Sequence, residues 1–235
     1  KIVEFECKPW QPPTGGAKCS ECGKDGYSCS KYSCQTLGVN CRLLNEGTGN
    51  ESCVDIGRGD ISAPKMNAWN EVLSEGYKYE IVSERGFKVV NNENDGCIKS
   101  NEFVSFGINL NEPGQCRYNV KHTNNFDEMN DDDGGDFGFR NLFLYNHTHF
   151  LAIPDLTSLG LPGYDPTKRA DYNMYIRCID GNGNGKDSAE YAINFCIKPG
   201  EDKTPPVVTA REPAKESVKF DENKIRGSIF TNEPS

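Results

Sequence analysis

Long apolar runs are missing from this sequence, which nowhere strings together the ~18 apolar residues of a membrane-spanning helix. Basic residues are also in short supply: 26 Lys and Arg face 35 Asp and Glu, a net charge of -9. A nucleic-acid partner needs a basic surface, so that class is excluded. Histidine is scarce, with three in 235 residues, and tryptophan scarcer, with two. No nucleophile elbow, phosphate-binding loop or metalloprotease His pair is written anywhere. The acidic pairs that do occur fall in loops, with nothing to set them about a cleft, so the chain does not read as an enzyme. Hydrophobic content is only 35%, which implies thin cores. With Lys1 at its head rather than Met, the sequence reads as a processed product or as a segment of something longer.

Cysteine is what the sequence has in excess. Of eleven cysteines, seven crowd the first 53 residues: Cys7, Cys19, Cys22, Cys29, Cys34, Cys41 and Cys53. Cys97, Cys116, Cys178 and Cys196 follow. Such density in a polar chain points to an oxidising compartment, where disulfides replace a core too small to hold the fold. The spacing Cys19-x-x-Cys22 and Cys29-x4-Cys34 also fits zinc, but no histidine accompanies these thiols and disulfides are the better reading. An odd count leaves one cysteine to pair elsewhere or stay free. Two glycosylation sequons, at Asn50 and Asn146, agree with an extracellular, cell-surface location.

Three regions follow from composition. Residues 1–60 form a loop-rich disulfide module with a short helical turn near "KYSCQTLG". Residues 61–203 hold short β-branched and aromatic runs separated by turn clusters such as "NEPG" and "DGNGNGKD". Val104, Phe106, Ile108 and Leu110 alternate as a half-buried strand requires. The fold class is therefore mainly β: an immunoglobulin-like antiparallel β-sandwich behind the small disulfide module. Cys116 and Cys178 are placed to bridge the two sheets, leaving Cys97 and Cys196 to tie the first and last strands. A true immunoglobulin domain is not expected: no Trp lies between Cys116 and Cys178, and Ile176 stands where the corner Tyr belongs. Phe139 or Phe143 is the candidate for the central core position.

Residues 204–235 repeat earlier words. Ile229, Asn232, Glu233 and Pro234 line up with Ile108, Asn111, Glu112 and Pro113. Ile225, Ile229 and Thr231 share the phase of Val104, Ile108 and Leu110. This segment reads as the opening strands of a second repeat, or as a tail that completes a sheet in a neighbouring subunit through Phe220, Ile225, Ile229 and Phe230.

The combination "CKPWQPP", "CSEC", "WNEVLSEGY", "GCIKSNEFVSFGINLNEPGQC", "LFLYNHTHFLAIP" and "CIDGNGN" resembles the extracellular regions of very large surface proteins of small-genome, DPANN-type archaea. Those chains mix cysteine-rich modules with repeated immunoglobulin-like domains. The resemblance implies a cell-surface position and a structural or adhesive role, and supplies no catalytic residues.

Several polar motifs are candidate sites. "DGNGNGKD" matches the first half of a calcium loop, with Asp180, Asn182, Asn184 and Asp187 as candidate ligands. The closing Glu is absent from the twelfth position, where Tyr191 stands, and Glu190 is one place early. "DDDGGD" packs Asp131, Asp132, Asp133 and Asp136, better read as a solvated loop than as a cation site. His147 and His149 share a strand face and read as surface residues around a glycosylated Asn146. Arg58-Gly59-Asp60 reads as an inter-module turn rather than an adhesive tripeptide. The expected function is structural, as part of a self-associating filament or surface array. The alternative is an adhesin for a host cell or glycan.

Overall fold

The computed structural model describes residues 10–57, 59–93, 95–131, 133–138, 140–154 and 168–200, and the backbone of 208–212 and 228–231. In the first module, a 3-10 turn (Cys19–Glu21) precedes α1 (Lys31–Thr36), β1 (Cys41–Leu44) and β2 (Ser52–Asp55). The short helix near "KYSCQTLG" starts at Ser30 for a local reason. Ser30 Oγ accepts the Ser33 amide at 3.1 Å, and Ser33 Oγ accepts the Ser30 amide at 2.8 Å, a reciprocal cap that satisfies two amides the helix leaves unpaired. β1 and β2 pair antiparallel, Cys41 opposite Asp55 through Leu44 opposite Ser52.

Sulfur is the core of this module. Bridges Cys19–Cys41, Cys22–Cys29 and Cys34–Cys53 fasten it, and the buried cluster is Cys19, Cys34, Cys41 and Cys53 with Leu37 and Leu43 against it. The close pairs that suggested zinc are split: Cys19 and Cys22 belong to different bridges, as do Cys29 and Cys34. Cys7, the expected odd cysteine, lies outside the described residues.

The second module contains β3 (Met66–Ala68), β4 (Tyr77–Ser83), β5 (Gly86–Asn91), β6 (Ile98–Lys99), β7 (Phe103–Asn119), β8 (Gly134–Asp136), β9 (Leu144–Ala152), β10 (Ala170–Asp180) and β11 (Tyr191–Lys198). β7 is the spine of the sandwich. Its first half pairs with β9, Phe103 opposite Ala152 to Asn109 opposite Asn146, and with β3, Ala68 opposite Ile108. Its second half pairs with β10 and β8. The layer continues from β10 to β11, β5 and β4.

The crossing between layers is written in "NEPG". The β7–β9 register breaks between Asn109 and Gly114. Pro113 offers no ladder donor there. A Cβ on Gly114 would stand 2.7 Å from Leu110 Cδ1 and 3.1 Å from the Ile179 carbonyl, so a larger residue would have to push Leu110 aside and shift the strand slightly.

The core lies between the layers. Val104, Phe106, Ile108 and Leu110 all face inward, as their alternation predicts, and meet Met174, Ile176, Ile193 and Phe195. The central aromatic is Phe137, not Phe139 or Phe143. Phe137 is fully buried, 5.9 Å from Phe106 and stacked at 4.8 Å on His149. Phe143 is half-buried, with its backbone hydrogen-bonded to Asn45 of the first module, and Phe139 lies outside the described residues.

Three further expectations change. The sandwich is not wholly antiparallel, since β11 pairs in parallel with β5 and β6. Cys116 and Cys178 do form a bridge, but they are directly opposed on β7 and β10, so it staples one layer rather than joining two. Cys97–Cys196 ties β11 to the segment entering β6, closing a separation of 99 residues. Finally, the C-terminal strand is not left alone: β12 (Val208–Glu212) pairs antiparallel with β13 (Ser228–Thr231) of the same chain. Ile229 and Phe230 lie on β13; Phe220 and Ile225 lie outside the described residues.

Candidate functional site

The two modules meet along a seam. Asn45 sits at φ 57° just past β1, and from there its side chain imitates a strand. Its Nδ2 donates to the Phe143 carbonyl at 2.9 Å and its Oδ1 accepts the Phe143 amide at 2.8 Å. Arg42 Nη1 donates to the Gly181 carbonyl at 2.6 Å. Leu44 and Ile56 close over Gly181, where an added Cβ would meet Leu44 Cδ2 at 3.2 Å. Beside these contacts lies a cleft of about 640 Å³, lined among others by Asp55, Asp60, Glu112, Tyr145 and Asp180.

Three carboxylates converge in this cleft. Asp60 comes from the inter-module turn, Glu112 from the layer-crossing bend of β7, and Asp180 from the end of β10. One oxygen of each lies within 4.8 Å of the others. Asp180 is buried and held by its own loop: Oδ1 accepts the Asn182 and Asn184 amides, each at 2.8 Å, and Oδ2 accepts Asn184 Nδ2 at 2.8 Å. Asn184 Nδ2 also reaches the Asp60 carbonyl at 3.0 Å. Glu112 carries the electrostatic cost. Burial, then the charges of Asp60 and Asp180, push its carboxyl up to about 7. Such a trio either shares a proton or offers hard oxygen ligands to a divalent cation, for which calcium takes six to eight oxygens.

The structure therefore regroups the expected calcium ligands. Asp180 is in the cluster. Asn182 and Asn184 instead donate to Asp180, and Asp187 is exposed beside Lys186. Glu190 turns away, accepting the Thr123 amide at 2.8 Å and pairing with His122 at 2.6 Å. Asp60 and Glu112, absent from the sequence-derived ligand set, come from segments 52 positions apart along the chain, a distance that no linear loop pattern can register. The recurring "NEP" was the available signal for Glu112.

The other motifs resolve separately. In "DDDGGD", Asp133 pairs with Lys121 at 2.6 Å and Asp136 approaches Arg117 Nε at 3.7 Å, while Asp132 lies outside the described residues. His147 and His149 are not surface residues. They are 3% and 2% exposed because β9 turns positions 147 and 149 into the core. His147 Nε2 lies 2.9 Å from the Gly114 carbonyl. His149 Nδ1 accepts the Gly138 amide at 3.2 Å. Burial lowers both imidazoles, His149 to about 4. Asn146, between them and facing outward, is exposed, as is Asn50. Arg58 lies outside the described residues, and Asp60 of the same tripeptide turns into the carboxylate cluster.

No family model, curated protein or solved structure matches this chain.

Proposed function

We propose that this chain is a structural module of an extracellular surface assembly, in which a sulfur-cored cap and a β-sandwich act as one rigid unit. The observation that carries the reading is the covalent framework. Five bridges staple the described residues, three of them in a cap whose buried cluster is cysteine itself. A fold that rests on disulfides suits an oxidising exterior. Both sequon asparagines are exposed and free to carry glycans. No helix among the described residues is long and apolar enough to cross a membrane. The resemblance to archaeal surface proteins points the same way.

A second reading, an adhesin, has its own support. The inter-module cleft is acidic and bears Tyr145, which is 54% exposed, a surface suited to a basic or sugar-bearing partner. Electron microscopy and a cell-retention assay on the oxidised, glycosylated chain separate the two. Ordered fibres or sheets support the structural reading. A monomer that retains cells overturns it in favour of the adhesin.

A further inference from the structure

The three bridges of the first module meet at one sulfur. Cys53 Sγ lies within 4.8 Å of the sulfurs of Cys19 and Cys41, and within 4.8 Å of those of Cys22 and Cys29. The Cys34–Cys53 bridge is therefore next neighbour to both of the others. Each bridge also gives one cysteine to the wall of the inter-module cleft: Cys19, Cys22 and Cys53. A cavity of about 640 Å³ thus brings solvent and small solutes to a row of exchangeable sulfurs.

The bridges are not equally guarded. Cys19, Cys34, Cys41 and Cys53 are buried, whereas Cys22 and Cys29 are half-buried. Between those two, residues 23–28 are all exposed. Their bridge spans 7 positions, against 22 and 19 for its neighbours, and the shortest loop constrains the unfolded chain least. Opening Cys22–Cys29 therefore costs the module least, and an external thiol reaches it first. Once it is open, Cys22 Sγ has Ser33 Oγ at 3.4 Å, a hydroxyl able to donate to a thiolate. Thiolate, not thiol, is the species that attacks a disulfide.

We infer that Cys22–Cys29 is a redox-labile latch on the cleft, and that its reduction moves the pairing of Cys53 from Cys34 to Cys22. The reductant is a small uncharged dithiol, since the carboxylates on the same wall, Glu51 and Asp55 among them, repel an anionic one. In the first step the two thiols of the dithiol become one disulfide, and Cys22 and Cys29 become thiols. In the second step the Cys22 thiolate attacks Cys53 Sγ and the Cys34–Cys53 bond breaks. Cys34 leaves as a thiolate and takes up the proton that Cys22 released, so this step consumes no electrons. The product has Cys22 bridged to Cys53 and thiols at Cys29 and Cys34. α1, which carries Cys34, has then lost its covalent tie to β2, which carries Cys53. The module changes its staple while keeping Cys19–Cys41.

Limited reduction of the full oxidised chain tests it. Thiols already free are blocked with N-ethylmaleimide, an equimolar amount of dithiothreitol is added, and new thiols are trapped with iodoacetamide before peptide mapping. Cys22–Cys29 is expected to open roughly tenfold faster than any other bridge. The trapped chains are expected to carry alkylated Cys34 and a linked Cys22–Cys53 peptide pair. Cys29→Ser supplies the attacking thiol without reductant, and the same linked pair is expected in that variant. Alkylation confined to Cys22 and Cys29 in the parent, another bridge opening first, or Cys29 rather than Cys22 joined to Cys53 overturns the inference. So does a folded Cys29→Ser variant in which Cys34–Cys53 stays whole; if that variant does not fold, the parent's map decides alone.

Discussion

Acid should loosen the sandwich at β9, and the size of the effect follows from His149. This imidazole is 2% exposed, stacked on Phe137 and held neutral by burial. Its folded-state value is about 4, against an ordinary value of 6.5. A lowered value means that the folded protein refuses a proton the unfolded chain accepts. The stabilisation is therefore complete above pH 6.5 and drains away as pH falls toward 4. Integrated over that window, the loss is about 3 kcal/mol, of which about 2 kcal/mol is gone by pH 5. Against a domain stability of roughly 5–15 kcal/mol this is a large fraction. His147 shifts in the same direction for the same reason. The assay is urea unfolding from pH 7.5 to 4.5 on the parent and on His149→Phe, which keeps the aromatic stack. At pH 7 the variant should be less stable by about 1 kcal/mol, having lost the acceptor for the Gly138 amide. By pH 5 the order should reverse. Parallel pH curves, or an imidazole in the folded protein that titrates at its ordinary value, would refute the reasoning.

Glu112 has the opposite sign. Its carboxyl is raised to about 7, so its contribution is present below pH 4.5 and is lost as pH rises through 7; Glu112→Gln should therefore be more stable than the parent at pH 8 and lose that advantage by pH 5, as read by thermal unfolding. Replacing Cys34 and Cys53 together by Ala opens a loop of 19 residues, which should cost about 3 kcal/mol by chain entropy alone and raise protease cleavage in residues 19–55 while sparing β7. Asn45→Ala removes both hydrogen bonds to Phe143 and puts Ala at positive φ, and should cost about 2–3 kcal/mol in denaturant unfolding. Asn45→Gly should recover about 1 kcal/mol of that loss, because glycine tolerates the left-handed backbone.

What the sequence made legible was what repeats locally. The alternation of Val104, Phe106, Ile108 and Leu110 gave the inward face of β7. The cysteine density gave a disulfide module, and the strand positions gave the pairs Cys116–Cys178 and Cys97–Cys196. Pairings that depend on three-dimensional path were not legible. That β7 bends at "NEPG" and serves both layers places Cys116 and Cys178 side by side, and no spacing rule encodes that bend. The carboxylate cluster failed to show for the same reason. Asp60, Glu112 and Asp180 come from three distant segments, while the calcium pattern looks only along one loop. The burial of His147 and His149 follows from strand parity, which their polarity masks in the sequence. They occupy inward positions of β9, and the alternation of that strand overrides their usual preference for the surface.

The fold depends most on which cysteines hold one another. Peptide mapping of the oxidised chain under non-reducing conditions reads this directly. The predicted result is five linked peptide pairs: Cys19–Cys41, Cys22–Cys29, Cys34–Cys53, Cys97–Cys196 and Cys116–Cys178. Free thiols at these ten positions, or bound zinc released on thiol modification of the first module, would contradict it.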